Sequence, residues 1–418
     1  MIRFLHTADI HLDSPLKGLE SHEDAPVEEI RGATRRAFDN CIDLAIEQAV
    51  DFLLIVGDLY DVDWKDYNTG LFFASRMGRL NRAGIAVFIV SGNHDAANQI
   101  TRTMPPLENV TIFPAKKPAS IRLENLGVII HGQSYPSRAV TENLASQYPR
   151  HESGYFNIGL LHTSLTGREG HEDYAPCTLD ELKSKGYDYW ALGHVHKREI
   201  VADDPWIVFP GNIQGRHIRE TGTKGATLVT VEDGRITDVR VCELDVLRWA
   251  TCRVDLSPCE TTNSIYDAVR QAFELEIAGA NGRPLALRLI LTGRCPVHAQ
   301  LLERTAQWTE EFRGIGAGLG NIWLEKVKFQ TRRAVTLEEI AGADTALTGL
   351  LQSIQELKLD SDTLTALVPE LANLQSKLPP EIHKGEEPFL DPSPDTMAEL
   401  RTEVQNLLIA KLLQHGRI

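Results

Sequence analysis

The run Phe52-Leu53-Leu54-Ile55-Val56 followed by Gly57-Asp58 limits the fold of this chain more than any other stretch. Five apolar residues without polar alternation read as a strand buried on both faces, as in a parallel sheet covered by helices. Open α/β sheets bind ligands beyond the carboxyl ends of their strands, and Asp58 stands at such an end. Alone, Gly-Asp after a strand is an ordinary turn. Here the arrangement recurs along the chain with other residues that ligate metals.

Five predicted strands end in such residues. Residues 2–5 lead to Asp9 and His11, residues 52–56 to Asp58, and residues 86–90 to Asn93 with His94. Residues 156–161 lead to His162, and residues 187–192 to His194 and His196. Asp-x-His and His-x-His place two side chains on one side of an extended segment. Carboxylate, imidazole and amide donors together suit borderline divalent ions such as manganese, iron or zinc. Seven ligands are too many for one ion and fit two if Asp58 bridges them.

The rest of the chain is read more coarsely. Helices are expected over about 27–50, 66–82 and 178–184, and short strands near 110–113, 119–123 and 126–131. The fifty residues after His196 read as antiparallel strands closing this domain, with turns at Gly211-Asn212, Gly222 and Asp233-Gly234. The expected order is a domain over 1–248, then a small α+β unit over 249–335 with helices at 262–277 and 297–312. The Gly314–Gly320 run in that unit follows a helix and precedes a strand, the reverse of a dinucleotide-binding turn, and reads as a flexible connection. A helical region at 336–378, a linker at 379–394 with five prolines, and a helix over 395–418 complete the chain. That last helix spaces Met397, Leu400, Val404, Leu407, Leu408 and Leu412 for packing on its own protein or on a partner.

Composition excludes little. The net charge of −15 argues against broad electrostatic attraction to nucleic acid. Residues 336–418 hold 14 acids against 6 bases, so about half of that excess lies in the last fifth of the chain. Bound divalent ions would also change the local field. Six cysteines without a Cys-x-x-Cys pair suit reduced thiols. No long apolar segment opens the chain and no run approaches a membrane span, so a cytoplasmic protein without a membrane partner is expected.

At the strand-end residues the sequence resembles the calcineurin-like metallophosphoesterases. The pattern Asp-x-His, Gly-Asp-x-x-Asp, Gly-Asn-His-Asp, His and Gly-His-x-His is complete between Asp9 and His196. The resemblance implies an α/β fold of the four-layer metallophosphoesterase sandwich type, with a small α+β capping domain and a helical C-terminal region. It implies two divalent ions, with Mn2+ foremost and Fe2+ or Zn2+ as alternatives. Asp9, His11, Asp58 and His196 would hold one ion, and Asp58, Asn93, His162 and His194 the other. His94 would be the catalytic imidazole and Asp61 the carboxylate orienting it. The plainer readings are a structural histidine for His94 and a turn or helix-capping residue for Asp61. Two ions about 4 Å apart clamp a phosphodiester and activate water, and an adjacent imidazole can protonate the leaving oxygen.

Within that superfamily the chain resembles the DNA-repair exonuclease branch, the SbcD-like nucleases that work with an SMC-type ATPase. The resemblance rests on His6-Thr7-Ala8-Asp9-Ile10-His11-Leu12-Asp13-Ser14-Pro15 and Gly57-Asp58-Leu59-Tyr60-Asp61. The stretch Phe209-Pro210-Gly211-Asn212-Ile213-Gln214-Gly215-Arg216-His217 is most similar to the YhaO-type group of the branch. The branch implies DNA as substrate, an ATPase partner and a homodimer. The sequence has no Gly-x-x-x-x-Gly-Lys-Ser/Thr element, so ATP hydrolysis would come from that partner. Arg216, His217 and Arg219 could meet substrate phosphates or be solvated polar residues. Two rival readings stand beside the nuclease: a phosphodiesterase or phosphatase of small phosphoesters or nucleotides, and a metal-bound scaffold for an ATPase that cleaves nothing.

Overall fold

The computed structural model describes residues 1–14, 32–61, 67–97, 107–166 and 174–333, with scattered positions between 349 and 409. The chain divides into two compact units. The first comprises Met1–Thr251 with Leu275–Arg288 and Leu319–Glu325, and the second Cys252–Glu274, Leu289–Gly318 and the chain from Lys326.

The first unit is built on two six-stranded sheets. Strands β1 (Ile2–Thr7), β2 (Phe52–Val56), β3 (Ala86–Val90) and β4 (Val110–Ile112) lie parallel in that order. In the second sheet β5 (Ala119–Leu123) is an antiparallel edge beside β6 (Val128–Gly132), β7 (Phe156–His162) and β8 (Tyr189–Gly193), which run parallel. Every residue of β2, β6, β7 and β8 is buried, and their apolar runs, interrupted by His131 in β6 and Asn157 in β7, suit strands covered on both faces.

The two sheets face each other across one apolar core. Phe4, Phe52, Leu54, Val56 and Phe88 of the first pack with Ile130, Ile158, Leu160, Tyr189 and Val208 of the second. The outer face of the first sheet is covered by α1 (Ala33–Glu47) and α2 (Tyr67–Arg82), through Phe38, Cys41, Ile42, Phe73 and Met77. The outer face of the second carries a 3-10 turn (Leu144–Gln147) and a helix (Leu179–Ser184) against Leu161, Trp190 and Leu192. That helix starts at a capping box, in which Thr178 accepts from the Glu181 amide and the Glu181 side chain accepts from the Thr178 amide. The result is a four-layer α/β/β/α sandwich.

The strands after His196 pair antiparallel with one another as expected, but they are divided between the two sheets. Strands β9 (Glu199–Asp203) and β10 (Trp206–Phe209) extend the second sheet, and β10 pairs with β8 in parallel. Strands β11 (Gly225–Glu232) and β12 (Arg235–Glu243) belong to the first sheet, where β11 lies antiparallel to β1. The chain therefore crosses from one sheet to the other over residues 210–224. Sequence alternation cannot reveal this, because it reports which face of a strand is buried and not which sheet receives it.

Strands β13 (Arg248–Asp255), β14 (Leu285–Cys295) and β15 (Ile322–Arg333) form a three-stranded sheet. In the second unit the buried face of α3 (Thr262–Gly279), from Ile265, Val269 and Phe273, accompanies buried Trp308 and Phe312. The glycine run at 314–320 is corrected by the structure. It is not a connection as far as Leu319, because the helix Thr305–Leu319 runs through it and ends at Gly320 and Asn321, both with positive φ. Each interior glycine costs roughly 1 kcal/mol against alanine, and burial of Trp308, Phe312 and Gly316 on the same helix outweighs that cost.

The expected helices and linker beyond 335 lie largely outside the described residues. Among the positions described there, Met397 and Ile409 are buried while Leu407 and Leu408 are exposed. No helix among the described residues is long and apolar enough to cross a membrane.

Candidate dinuclear metal centre

The carboxyl ends of β1, β2, β3, β7 and β8 meet at one place. The segment after β1 lies along the segment after β2: the amides of Asp9, His11 and Leu12 donate to the carbonyls of Gly57, Asp58 and Leu59 at 2.9–3.1 Å. Asp9, His11, Asp58 and His194 all hold φ between 46° and 99°. Left-handed backbone at four non-glycine residues costs on the order of 1–3 kcal/mol each and is kept where the surroundings over-determine it. It turns the four side chains inward.

Two glycines allow the sheets to close over the site. A Cβ on Gly57, at φ 85°, would stand 2.0 Å from His162 Nδ1, and one on Gly193 would stand 1.8 Å from the Val56 carbonyl oxygen. Only glycine lets β2 and the ends of β7 and β8 approach this closely.

Six of the seven expected ligands form two close groups, and Asn93 lies beside the one that holds Asp58. One holds Asp9, His11 and His196, whose ligating atoms lie within 4.8 Å of one another. The other holds Asp58, His162 and His194 at the same closeness, with Asn93 Oδ1 3.0 Å from His162 Nε2. Asp58 Oδ2 lies 3.9 Å from His11 Nε2 and 3.5 Å from His162 Nε2, between the two. The His94 amide donates to the other Asp58 oxygen at 2.9 Å.

The donor set fits divalent cations. His162 Nδ1 is 3.0 Å from the Val56 carbonyl, a bond that needs a proton on Nδ1. In the neutral ring Nε2 then presents a lone pair toward Asn93 Oδ1 and Asp58 Oδ2. His196 Nδ1 lies 2.5 Å from Glu220 Oε1, which leaves its Nε2 facing His11 Nε2 at 3.3 Å and Asp9 Oδ1 at 3.9 Å. Acceptors that converge on one another repel unless positive charge stands among them.

The electrostatics agree. Burial works against a charged His162, yet the Asp58 carboxylate, with Asp9 behind it, outweighs burial and holds the ring up at about 9. Burial likewise opposes ionisation of Asp58, but His162, His94 and His11 keep it well below the ordinary carboxylate range. His11, buried and beside Arg216, is pushed well down. The Asp58 and Asp9 carboxylates thus draw positive charge to the His162 side of the site.

His94 and Asp61 lie at the rim, each about one-quarter exposed. His94 Nδ1 is 2.8 Å from Asp61 Oδ1, and the His94 ring meets the His11 ring edge-on with centroids 4.8 Å apart. Although burial opposes the charge, the Asp61 hydrogen bond and the Asp58 charge raise the His94 pKa. His94 Nδ1 or Nε2 also lies within 4.8 Å of ligand atoms of His11 and Asp58.

Of the residues expected to meet substrate, Arg216 reaches this rim. Its guanidinium is 3.8 Å from Asp61 Oδ2 and 3.3 Å from Ser14 Oγ. His217 Nε2 lies 3.3 Å from Glu220, and Arg219 is exposed. Glu220, Ser14 and Asp95 are the residues that motif reasoning missed. Ser14 Oγ donates to Asp61 Oδ2 at 2.8 Å, and buried Asp95 accepts from the amides of Tyr60 and Gly92, tying the Asp58 and Asn93 turns together. Asp95 follows Asn93-His94 directly, so it was within reach of the motif. Glu220 had no such signal.

Comparison with known proteins agrees with this geometry. The family Calcineurin-like phosphoesterase matches residues 2–198, and the family described as Metallophosphoesterase YhaO, middle domain matches residues 249–332. The chain is 38% identical over 316 residues to the uncharacterized metallophosphoesterase YhaO of Bacillus subtilis (strain 168), covering 74% of this chain and 76% of that one. The chain belongs to the YhaO metallophosphoesterases. A more distant relative of this YhaO chain is the DNA double-strand break repair protein Mre11 of Sulfurisphaera tokodaii, 25% identical over 308 residues and spanning 70% of this chain and 74% of that one. Among solved structures, a dimetal phosphatase from Danio rerio matches 56% of this chain and 93% of its own, at 10% identity and a TM-score of 0.35.

Proposed function

We propose that this metallophosphoesterase hydrolyses phosphodiester bonds of DNA as a repair exonuclease or endonuclease, in the cytoplasm and in concert with an SMC-type ATPase. The observation that carries the reading is the His94–Asp61 pair set beside two ligand groups with Asp58 between them. The similarity to the DNA double-strand break repair protein Mre11 of Sulfurisphaera tokodaii supports DNA as the substrate.

Asp9, His11, Asp58 and His196 would hold one ion and Asp58, Asn93, His162 and His194 the other, with Mn2+ the ion proposed. When bound, the ions supply charge to the phosphoryl oxygens and lower the pKa of water. The chain's own residues do the remaining work. Asp61 accepts from Nδ1–H of His94 and so aims Nε2 of the ring at the rim of the site, where it can give a proton to the leaving oxygen. Ser14 and Arg216 hold the second oxygen of Asp61, and Arg216 and His217 would meet phosphates that flank the scissile bond. Residues 249–335 would cap this site, the C-terminal helix would dock the ATPase, and the chain would work as a homodimer.

The test compares three substrates under Mn2+: end-labelled linear DNA, a small phosphate bis-ester and a phosphomonoester. Cleavage of DNA and bis-ester, lost in His94→Ala with metal content retained, supports the nuclease. Fast turnover of the monoester alone would make the protein a phosphatase or nucleotidase. Two bound ions without hydrolysis of any of the three would make it a scaffold.

A further inference from the structure

His162 and His196, which both face the ligand groups through Nε2, are held in different ways. His162 gives its Nδ1 proton to the backbone carbonyl of Val56, a partner that no side-chain change removes. His196 gives its Nδ1 proton to a side chain, the carboxylate of Glu220, on the crossing between the two sheets. Glu220 is 6% exposed, and all its oxygen capacity is turned inward. Its Oε1 lies 2.5 Å from His196 Nδ1 and 3.3 Å from His217 Nε2, and its Oε2 accepts from Asn212 Nδ2 at 2.8 Å and the Arg216 amide at 2.7 Å.

A carboxylate accepts hydrogen bonds and donates none, so the 2.5 Å contact puts the His196 proton on Nδ1 and outweighs Arg216 Nη2, a donor 3.3 Å from the same nitrogen. The backbone of the same histidine is fixed as well, because its carbonyl accepts from Lys224 Nζ at 3.1 Å and from the Asn212 amide at 3.3 Å. Outer partners of this kind hold the tautomer and plane of a ligating imidazole and raise its basicity.

We propose that Glu220 is the positioning residue for the ion held by Asp9, His11, Asp58 and His196, and that the second ion is independent of it. The proposal rests on the two-metal reading above. It makes the centre asymmetric: His196 depends on a side chain delivered by the crossing segment, whereas His162 depends on backbone. Glu220 also sets Arg216, whose guanidinium lies 3.5 Å from Glu220 Oε1 and 3.8 Å from Asp61 Oδ2. The same carboxylate thus places the cation beside the His94–Asp61 pair.

The experiment is a Mn2+ titration of the full chain, stripped with chelator, followed by calorimetry and by the spin resonance of free Mn2+. Wild type and Glu220→Gln are compared, with thermal unfolding of each recorded without and with metal. The proposal expects two ions in the wild type and, in Glu220→Gln, one ion weakened about 10–100-fold while the other keeps its affinity. The metal-free melting temperature should change little, and the rise on adding metal should shrink.

Wild type that binds no Mn2+ overturns the two-metal reading and the proposal with it. Two ions in the wild type, with both affinities unchanged in Glu220→Gln, overturns the proposal alone. Equal weakening of both ions together with a lower metal-free melting temperature makes Glu220 a structural residue and also overturns it. If Glu220→Gln does not fold, the tautomer of His196 in the metal-free wild type decides. Nitrogen-15 spectra, assigned with His196→Asn, should show the proton on Nδ1, and a proton on Nε2 alone overturns the proposal.

Discussion

His94 Nδ1 lies 2.8 Å from Asp61 Oδ1, and the second Asp61 oxygen accepts from Ser14 Oγ at the same distance. One carboxylate is thus satisfied from two sides, and the imidazole it holds has a fixed proton on Nδ1. Its other nitrogen is free to exchange a proton with whatever enters the rim. A histidine kept only for packing would not need an oriented carboxylate at a position open to solvent.

His94→Ala should lower kcat on a bis-ester or on DNA by about 10²–10⁴-fold, the usual worth of a general acid, with metal content unchanged. An acid works while protonated, so activity should hold at low pH and fall as pH rises through the raised His94 pKa. In Asp61→Asn the partner that raises this pKa is gone, and the falling limb of the kcat profile should move to lower pH. Profiles of kcat from pH 5 to 10 for the wild type and Asp61→Asn check the sign. A limb that stays in place would separate Asp61 from the proton transfer.

Asp58 stands between both ligand groups, whereas His196 belongs to one. Asp58→Asn should therefore weaken both ions, and His196→Asn chiefly one. Metal content after gel filtration, measured by atomic spectroscopy, distinguishes the two. Loss of a single equivalent in Asp58→Asn would contradict a shared carboxylate.

Gly57 must be glycine for two separate reasons, its φ of 85° and the 2.0 Å approach of a Cβ to His162 Nδ1. Gly127 shares the first reason, at φ 64°, and has open space around it. Gly127→Ala should cost about 1–2 kcal/mol for backbone alone. Gly57→Ala should cost roughly 1–3 kcal/mol more, because the site is overpacked as well. Urea denaturation of both variants gives the difference, and equal values would deny the close approach.

His6 is fully buried, between the Tyr189 hydroxyl at 3.0 Å and the Leu192 carbonyl at 3.1 Å, and burial pushes its pKa down to about 3. The unfolded chain binds a proton at His6 below about 6.5 and the folded chain does not. Stability supplied by the neutral ring is therefore present above that value and is lost as pH falls toward 3, at up to about 1.4 kcal/mol per pH unit. Urea melts at pH 7 and pH 5 should show this loss in the wild type and a smaller one in His6→Gln. Equal losses in the two proteins would place the acid sensitivity elsewhere.

Much of the site was legible because its chemistry is local. Asp9, His11, Asp58, Asn93, His94, His162, His194 and His196 each follow an apolar strand by a few residues, and parallel strands deliver their carboxyl ends to one edge. Burial of a whole strand such as β2 could be read from its unbroken apolar run. Glu220 could not be read in that way. It reaches His196 only because residues 210–224 cross from one sheet to the other, and strand periodicity carries no information on which sheet a strand joins. The glycine-rich turn of the helix Thr305–Leu319 was obscured for a different reason. Local propensity opposed the helix, and tertiary burial of Trp308 and Phe312 decided it.

The most direct test of the whole account is recovery of activity in the metal-stripped protein as Mn2+ is added, followed with a small phosphate bis-ester. Hydrolysis should be absent in chelator and should return as a second equivalent of Mn2+ is bound, because the two ligand groups share Asp58 and act together. Hydrolysis that persists in chelator, or that never appears with two ions bound, would contradict a two-metal phosphodiesterase centre at the ends of these strands.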